Sequence, residues 1–151
     1  QKYVQEVILP NLEVGARKAE RPIKDVEVSG GGFILVGEGE EELRRSFEAA
    51  RRRISFYGST QVYRSVLEVH GWGLIGDQLR ELSFKNQWDQ MPRLVTDEMV
   101  EAFSVMGTYD DIAGKLKQHY GGYASRISFP LPQGDRAIRE KVRGLLRELQ
   151  S

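Results

Sequence analysis

"DVEVSGGGFILVGEGEEE" (residues 25–42) sets three consecutive glycines inside a run that otherwise reads as a β-strand, then loads the start of a helix with acids. A phosphate cradle would need Gly-Lys-Ser/Thr at a fixed spacing, and none follows. A dinucleotide fingerprint would need a third glycine where Leu35 stands, although Gly30 and Gly32 supply its first half. The apolar strand continues past the glycines, so no helix N-terminus lies beside them to receive a phosphate. Glycine within a strand marks a bulge or a close approach by another backbone or a ligand. Both uses stay open for Gly30, Gly31 and Gly32: room for packing, or the wall of a ligand site.

On either side of this strand the apolar spacing alternates between helix and strand periods. Residues 3–19 fit a helix that Pro10 kinks or breaks. In residues 40–57, Leu43, Phe47, Ala50 and Ile54 recur on one helical face, and Gly58 follows as a stop. Residues 59–73 read as loop plus a short helix, and residues 77–95 as a helix disturbed at Pro92. Thr96 is placed to cap a short helix through Phe103. "FSVMGT" (103–108) is a short buried strand, after which Thr108 and Asp111 have capping-box spacing for the next helix. "SRISFPLP" (125–132) is the last strand, and residues 135–149 form a helix with Ile138, Val142, Leu145, Leu146 and Leu149 on one face. Strand alternating with helix is the pattern of parallel βαβ units. Three strands, near 26–36, 103–107 and 126–131, are too few for a closed eightfold barrel of about 250 residues. The expectation is a single α/β domain over residues 1–151: part of a (β/α)8 TIM barrel, with helices outside. Gln1 at the start leads one to expect a trimmed or partial product.

Lys and Arg together number 22, as do Asp and Glu, so the basic excess of a nucleic-acid binder is absent. No apolar run approaches the roughly 18 residues that a membrane span needs, and no signal-peptide pattern opens the chain. Cysteine is absent, which removes disulfides and thiolate metal sites. No HExxH or clustered carboxylate–histidine set is present, so no metal is expected. A cytoplasmic protein fits these facts.

"FYGSTQVYRSVLEVHGWG" (56–73) gathers Phe56, Tyr57, Tyr63, His70 and Trp72 with Arg64 in one irregular connection. Aromatic-lined loops suit a flat organic ligand, while the same rings also form satellite clusters beneath long loops. His70 could donate a proton or bind an anion, or serve as an ordinary hydrogen-bonding residue. His119, at a helix end, suits the negative pole of that helix.

"VILPNLEVGARKAER", "VEVSGGGFILVGEGEEE", "RRRISFYGSTQVYRSVLEVHGWG" and "VMGTYDDIAGKLKQHYGGYASRISFPLP" resemble, in order, the C-terminal half of luciferase-like monooxygenases. The resemblance is nearest to the branch that uses the deazaflavin coenzyme F-420. It implies a (β/α)8 barrel binding F-420 or FMN at its C-terminal mouth, and hydride transfer between that coenzyme and a small organic substrate. It also implies a missing N-terminal half that supplies much of the coenzyme pocket, so this piece alone is expected to be inactive. With it, Gly30, Gly31 and Gly32 become candidates for a coenzyme-facing wall. Tyr57, Tyr63, Arg64, His70 and Trp72 become candidates for a substrate-facing one, with His70 also the candidate for catalysis. Open strand edges lead one to expect either the missing half or a second copy as partner. The alternative function is a non-catalytic half barrel that serves binding or assembly.

Overall fold

In the computed structural model, residues 1–129 and 136–150 are described. In chain order the helices are α1 (Leu9–Lys18), α2 (Glu40–Gly58), α3 (Arg64–Val69), α4 (Gly73–Phe84), α5 (Asp97–Phe103), α6 (Ile112–Tyr120) and α7 (Arg136–Gln150). The strands are β1 (Ser29–Gly30), β2 (Phe33–Gly37), β3 (Ser104–Thr108) and β4 (Arg126–Ile127). The chain holds two compact units: Gln1–Val26 with Glu48–Ala102, and Glu27–Phe47 with Phe103–Ser151.

The second unit holds the four strands found among the described residues, and its ladders are parallel, as the βαβ pattern requires. β2 pairs with β3 in a register running from Phe33↔Ser104 to Gly37↔Thr108. β1 pairs with β4 through Ser29↔Arg126 and Gly30↔Ile127. The single strand expected near 26–36 is therefore two, with different partners on either side of Gly31 and Gly32. A packing reason is visible at Tyr120, a side chain only 3% exposed. A Cβ on Gly30 would stand 2.8 Å from Tyr120 Cδ1, and one on Gly32 would stand 3.0 Å from Tyr120 Oη. Two of the three glycines thus make room for a tyrosine. The last strand is shorter than the expected 125–132: its ladder is confined to Arg126–Ile127, and residues 130–132 lie outside the described residues.

Side chains alternate across a strand, so Ile34 and Val105 share one face of the β2–β3 pair. They pack with Ile112, Ala113, Leu116 and Tyr120 of α6 and Leu145 of α7. Complete burial of a side chain such as Leu116 contributes about 1.5–3 kcal/mol. Leu35 and Met106, opposite one another in the register, lie on the other face. At the start of α2 the Glu42 carboxylate accepts the Glu38 backbone N–H at 2.8 Å, satisfying a donor in the manner of a capping box. The capping box expected at Thr108 forms in part: the Asp111 carboxylate accepts the Thr108 backbone N–H. The Thr108 hydroxyl donates to the Asp111 carboxylate at 3.2 Å, and α6 begins only at Ile112.

The first unit is helical. The helix expected over residues 3–19 is a π-turn, Val4–Ile8, running into α1, with Pro10 in the first turn of α1. Proline has no N–H to offer the preceding turn, which is why the hydrogen-bond register changes there. The helix expected over residues 77–95 stops at Phe84. Asn86 takes a left-handed φ of 56°, and the Asn86 and Gln87 N–H groups close the end on the carbonyls of Ser83 and Leu82. Thr96 does cap its helix, with its hydroxyl oxygen accepting the Met99 N–H at 3.3 Å.

Candidate functional site

The irregular connection 56–73 is ordered by a helix ending rather than by a loop. α3 stops at Val69, His70 is its last half-helical residue, and Gly71 takes φ 79°. The Gly71 N–H donates to the Glu68 carbonyl and the Trp72 N–H to the Leu67 carbonyl, both at 2.9 Å, which is the Schellman arrangement. That turn folds the chain back, and the Trp72 ring stacks on His70 with centroids 4.5 Å apart and planes within 7°. "HGW" therefore has a local conformational cause, because only glycine takes that φ without strain.

Burial pushes His70 below the ordinary histidine value, and the nearby Lys2 ammonium adds to the effect. Lys2 also donates to the carbonyl of Val69 at 2.8 Å. At neutral pH His70 is a neutral imidazole held flat against an indole.

Tyr57 and Tyr63 form a second pair, their rings tilted and 5.3 Å apart. Phe56 meets Tyr57 edge-on at 5.8 Å and Trp88 at 6.2 Å. The Arg64 guanidinium pairs with two carboxylates of its own unit, Glu68 at 2.8 Å and Asp77.

The glycines belong to the other unit. Gly31 is exposed, and a Cβ built there would meet nothing within 4 Å. Gly32 directly precedes β2, about 17 Å from its carboxyl end at the rise of a strand, and Gly30 and Gly31 come before it in the chain.

The carboxyl ends of β2 and β3 carry polar residues that the sequence reading did not single out. Lys141 of α7 pairs with Glu38 at 2.6 Å. Burial, with Glu42 and Glu38 nearby, pushes the Tyr109 phenol up, so it stays a neutral hydrogen-bond donor. Asp111 is held by Lys115 at 2.7 Å, and that ion pair keeps its carboxyl below the usual range. The available signal was positional: Glu38 and Tyr109 directly follow the two apolar strands. Among the described residues no group of three or more His, Asp or Glu side chains could hold a metal ion. No described helix is long and apolar enough to cross a membrane.

Residues 1–126 match the family model described as luciferase-like monooxygenase. A Mycobacterium tuberculosis protein described as uncharacterized is 37% identical over 149 residues, covering 99% of this chain and 43% of its own length. The 5,10-methylenetetrahydromethanopterin reductase of Methanopyrus kandleri is 29% identical over 116 residues, covering 75% of this chain and 32% of its own. The enzyme of the same name from Archaeoglobus fulgidus is 28% identical over 120 residues, covering 75% and 34%. The chain thus spans less than half the length of these relatives.

Proposed function

The chain belongs to the luciferase-like monooxygenase family, and from that premise we propose that the whole protein is an oxidoreductase that uses a deazaflavin of the F-420 type or FMN. The coenzyme, when bound, supplies the hydride chemistry. The protein supplies position and exclusion of water. The activity is assigned to the whole protein, and the 151-residue portion alone is proposed to turn over no substrate.

One observation carries the proposal. β2 and β3 run parallel in a five-residue register, with α6 and α7 on one face and the apolar pair Leu35 and Met106 on the other. That layering supports reading the pair as a segment of barrel wall, with the helices on its outer side and Leu35 and Met106 on its inner side. In such a barrel, ligands sit at the carboxyl ends of strands, where Glu38, Tyr109 and Lys141 stand. We place the mouth there.

Of the three glycines, Gly31 is the one that suits a ring lying against bare backbone, since Tyr120 occupies the space beside Gly30 and Gly32. Its place at the entry end of β2 stands apart from that mouth, so Gly31 is the assignment to test first. Titrating full-length protein with F-420 and with FMN, followed by coenzyme fluorescence and by melting temperature, distinguishes the two coenzymes. Gly31→Val is expected to weaken the binding while leaving the melting temperature alone. Unchanged affinity removes Gly31 from the site. The absence of binding by either coenzyme overturns the oxidoreductase reading in favour of a binding or assembly module.

A further inference from the structure

The carboxyl ends of β2 and β3 share one construction. Gly37 closes β2, and a Cβ there would stand 2.8 Å from Glu42 Cβ. Gly107 is the last residue but one of β3, and a Cβ there would run into the Asp111 carboxylate. The missing Cβ atoms let both acids lie over the strand ends. Each is then fixed by a backbone donor just past the glycine. Glu42 accepts the Glu38 N–H at 2.8 Å, and Asp111 accepts the Thr108 N–H.

Glu38 and Asp110 add two more carboxylates at the same ends. Two lysines answer the four acids: Lys141 pairs with Glu38 at 2.6 Å and Lys115 with Asp111 at 2.7 Å. Among the described residues of these two ends, negative charge is therefore in excess. Tyr109 directly follows β3 and sits half-buried in this company. Glu42, Glu38 and Lys141 all act on its phenol, which keeps its proton and so donates.

We propose that Tyr109 is a specificity-determining residue of the mouth: its hydroxyl donates to an uncharged oxygen or ring nitrogen of a flat organic substrate, while the carboxylates around it turn anionic substrates away. The inference rests on the reading of the whole protein as an oxidoreductase whose mouth lies at these strand ends. Charge decides between the two classes. An anionic group at Tyr109 gains one hydrogen bond but meets fixed carboxylates of like sign, whose repulsion in a partly dry cleft exceeds the net worth of that bond. An uncharged acceptor takes the same hydrogen bond and meets no repulsion. Because Glu42 and Asp111 are tied to backbone donors, they do not swing aside to admit an anion, and a cleft lined by one sign of charge concentrates that field.

The test uses full-length protein loaded with whichever of F-420 and FMN it binds, titrated by calorimetry with two flat probes of one shape, naphthamide and naphthoate. The amide is expected to bind about tenfold more tightly than the anion, or better. The gap should narrow as salt is raised, because the repulsion is screened. Tyr109→Phe is expected to weaken the amide about fivefold with the melting temperature unchanged. Glu38→Gln should bring the naphthoate affinity up toward that of the amide. Equal binding of the two probes to loaded protein, or binding of neither, overturns the proposal while the oxidoreductase reading stands. Amide binding untouched by Tyr109→Phe removes the phenol from the site and overturns it equally. Protein that takes up neither coenzyme fails the oxidoreductase reading itself, and this inference with it.

Discussion

The strand unit and the helical unit handle their large apolar residues in opposite ways. In the strand unit Ile34, Val105, Leu116 and Leu145 are drawn into one cluster between a two-stranded ladder and two helices. In the helical unit Leu79, Met91, Met99 and Val100 are fully buried, yet Phe56, Tyr63, Phe84 and Trp88 remain at the surface. The difference teaches that an apolar residue at helical spacing predicts burial only where a second layer exists to receive it. β2–β3 supplies that layer for α6 and α7. The connection 56–88 ends its helices in tight turns and leaves its largest rings outside.

The largest expected effects test the burial side of this contrast. Leu116→Ala and Leu79→Ala, one in each unit and both 0% exposed, are expected to cost about 2–5 kcal/mol each in denaturant unfolding. Phe84→Ala should stay within about 0.5 kcal/mol. A loss at Phe84 as large as that at Leu79 would erase the contrast.

Within the strand unit the glycines offer a finer version. Gly30→Ala is expected to destabilise by about 1–3 kcal/mol, because its new Cβ meets the Tyr120 ring. Gly31→Ala, where a Cβ meets nothing within 4 Å, should change stability by no more than about 0.5 kcal/mol. Equal losses at the two would mean that backbone conformation, and not the tyrosine, dictates glycine. Smaller again, Thr96→Ala removes the cap of α5 and is expected to cost about 1 kcal/mol in the same unfolding measurement.

The smallest effect is on pH dependence, and each unit contributes one histidine. Burial lowers both His70 and His119 below the ordinary value. The unfolded chain therefore takes up protons near pH 6.5 while the folded one does not. Stability is complete above that pH and falls as acid approaches and passes the lowered folded values. His70→Gln and His119→Gln should each flatten the fall of melting temperature below pH 6.5. A melting temperature that rises on acidification would refute the sign.

The regular parts of the fold were legible because their cause is local. Residues 40–57 were read as a helix and form α2 through Gly58, and residues 103–108 were read as a strand and form β3 from Ser104. What failed depends on partners distant in sequence. Nothing in "VSGGGFILV" says that its first part will pair with Arg126–Ile127 and its second with Ser104–Thr108, since the deciding group is the Tyr120 ring. The expected capping box at Thr108 forms only in part, because the Asp111 carboxylate takes the Thr108 backbone N–H while the Thr108 hydroxyl also turns to that carboxylate. At the candidate site, the aromatic character of 56–73 was legible, and so was the glycine of "HGW". The pairing of Arg64 with Asp77 was not, because that carboxylate lies 13 residues on.

The interruption of the strand unit by residues 48–102 has a consequence in time. The Ser125 N–H donates to the Val28 carbonyl at 2.9 Å, and the Val28 N–H in turn donates to the Ser125 hydroxyl, across 97 residues of chain. The turns that order the helical unit, at Gly71 and Asn86, close over only a few residues. Loop closure grows costlier with length, and parallel pairing is slow for that reason. The helical unit is thus placed to organise during the wait for the ladder. Both tryptophans, Trp72 and Trp88, lie in that unit. Their fluorescence should report an early phase of refolding, ahead of the protection of β2 and β3 amides from hydrogen exchange.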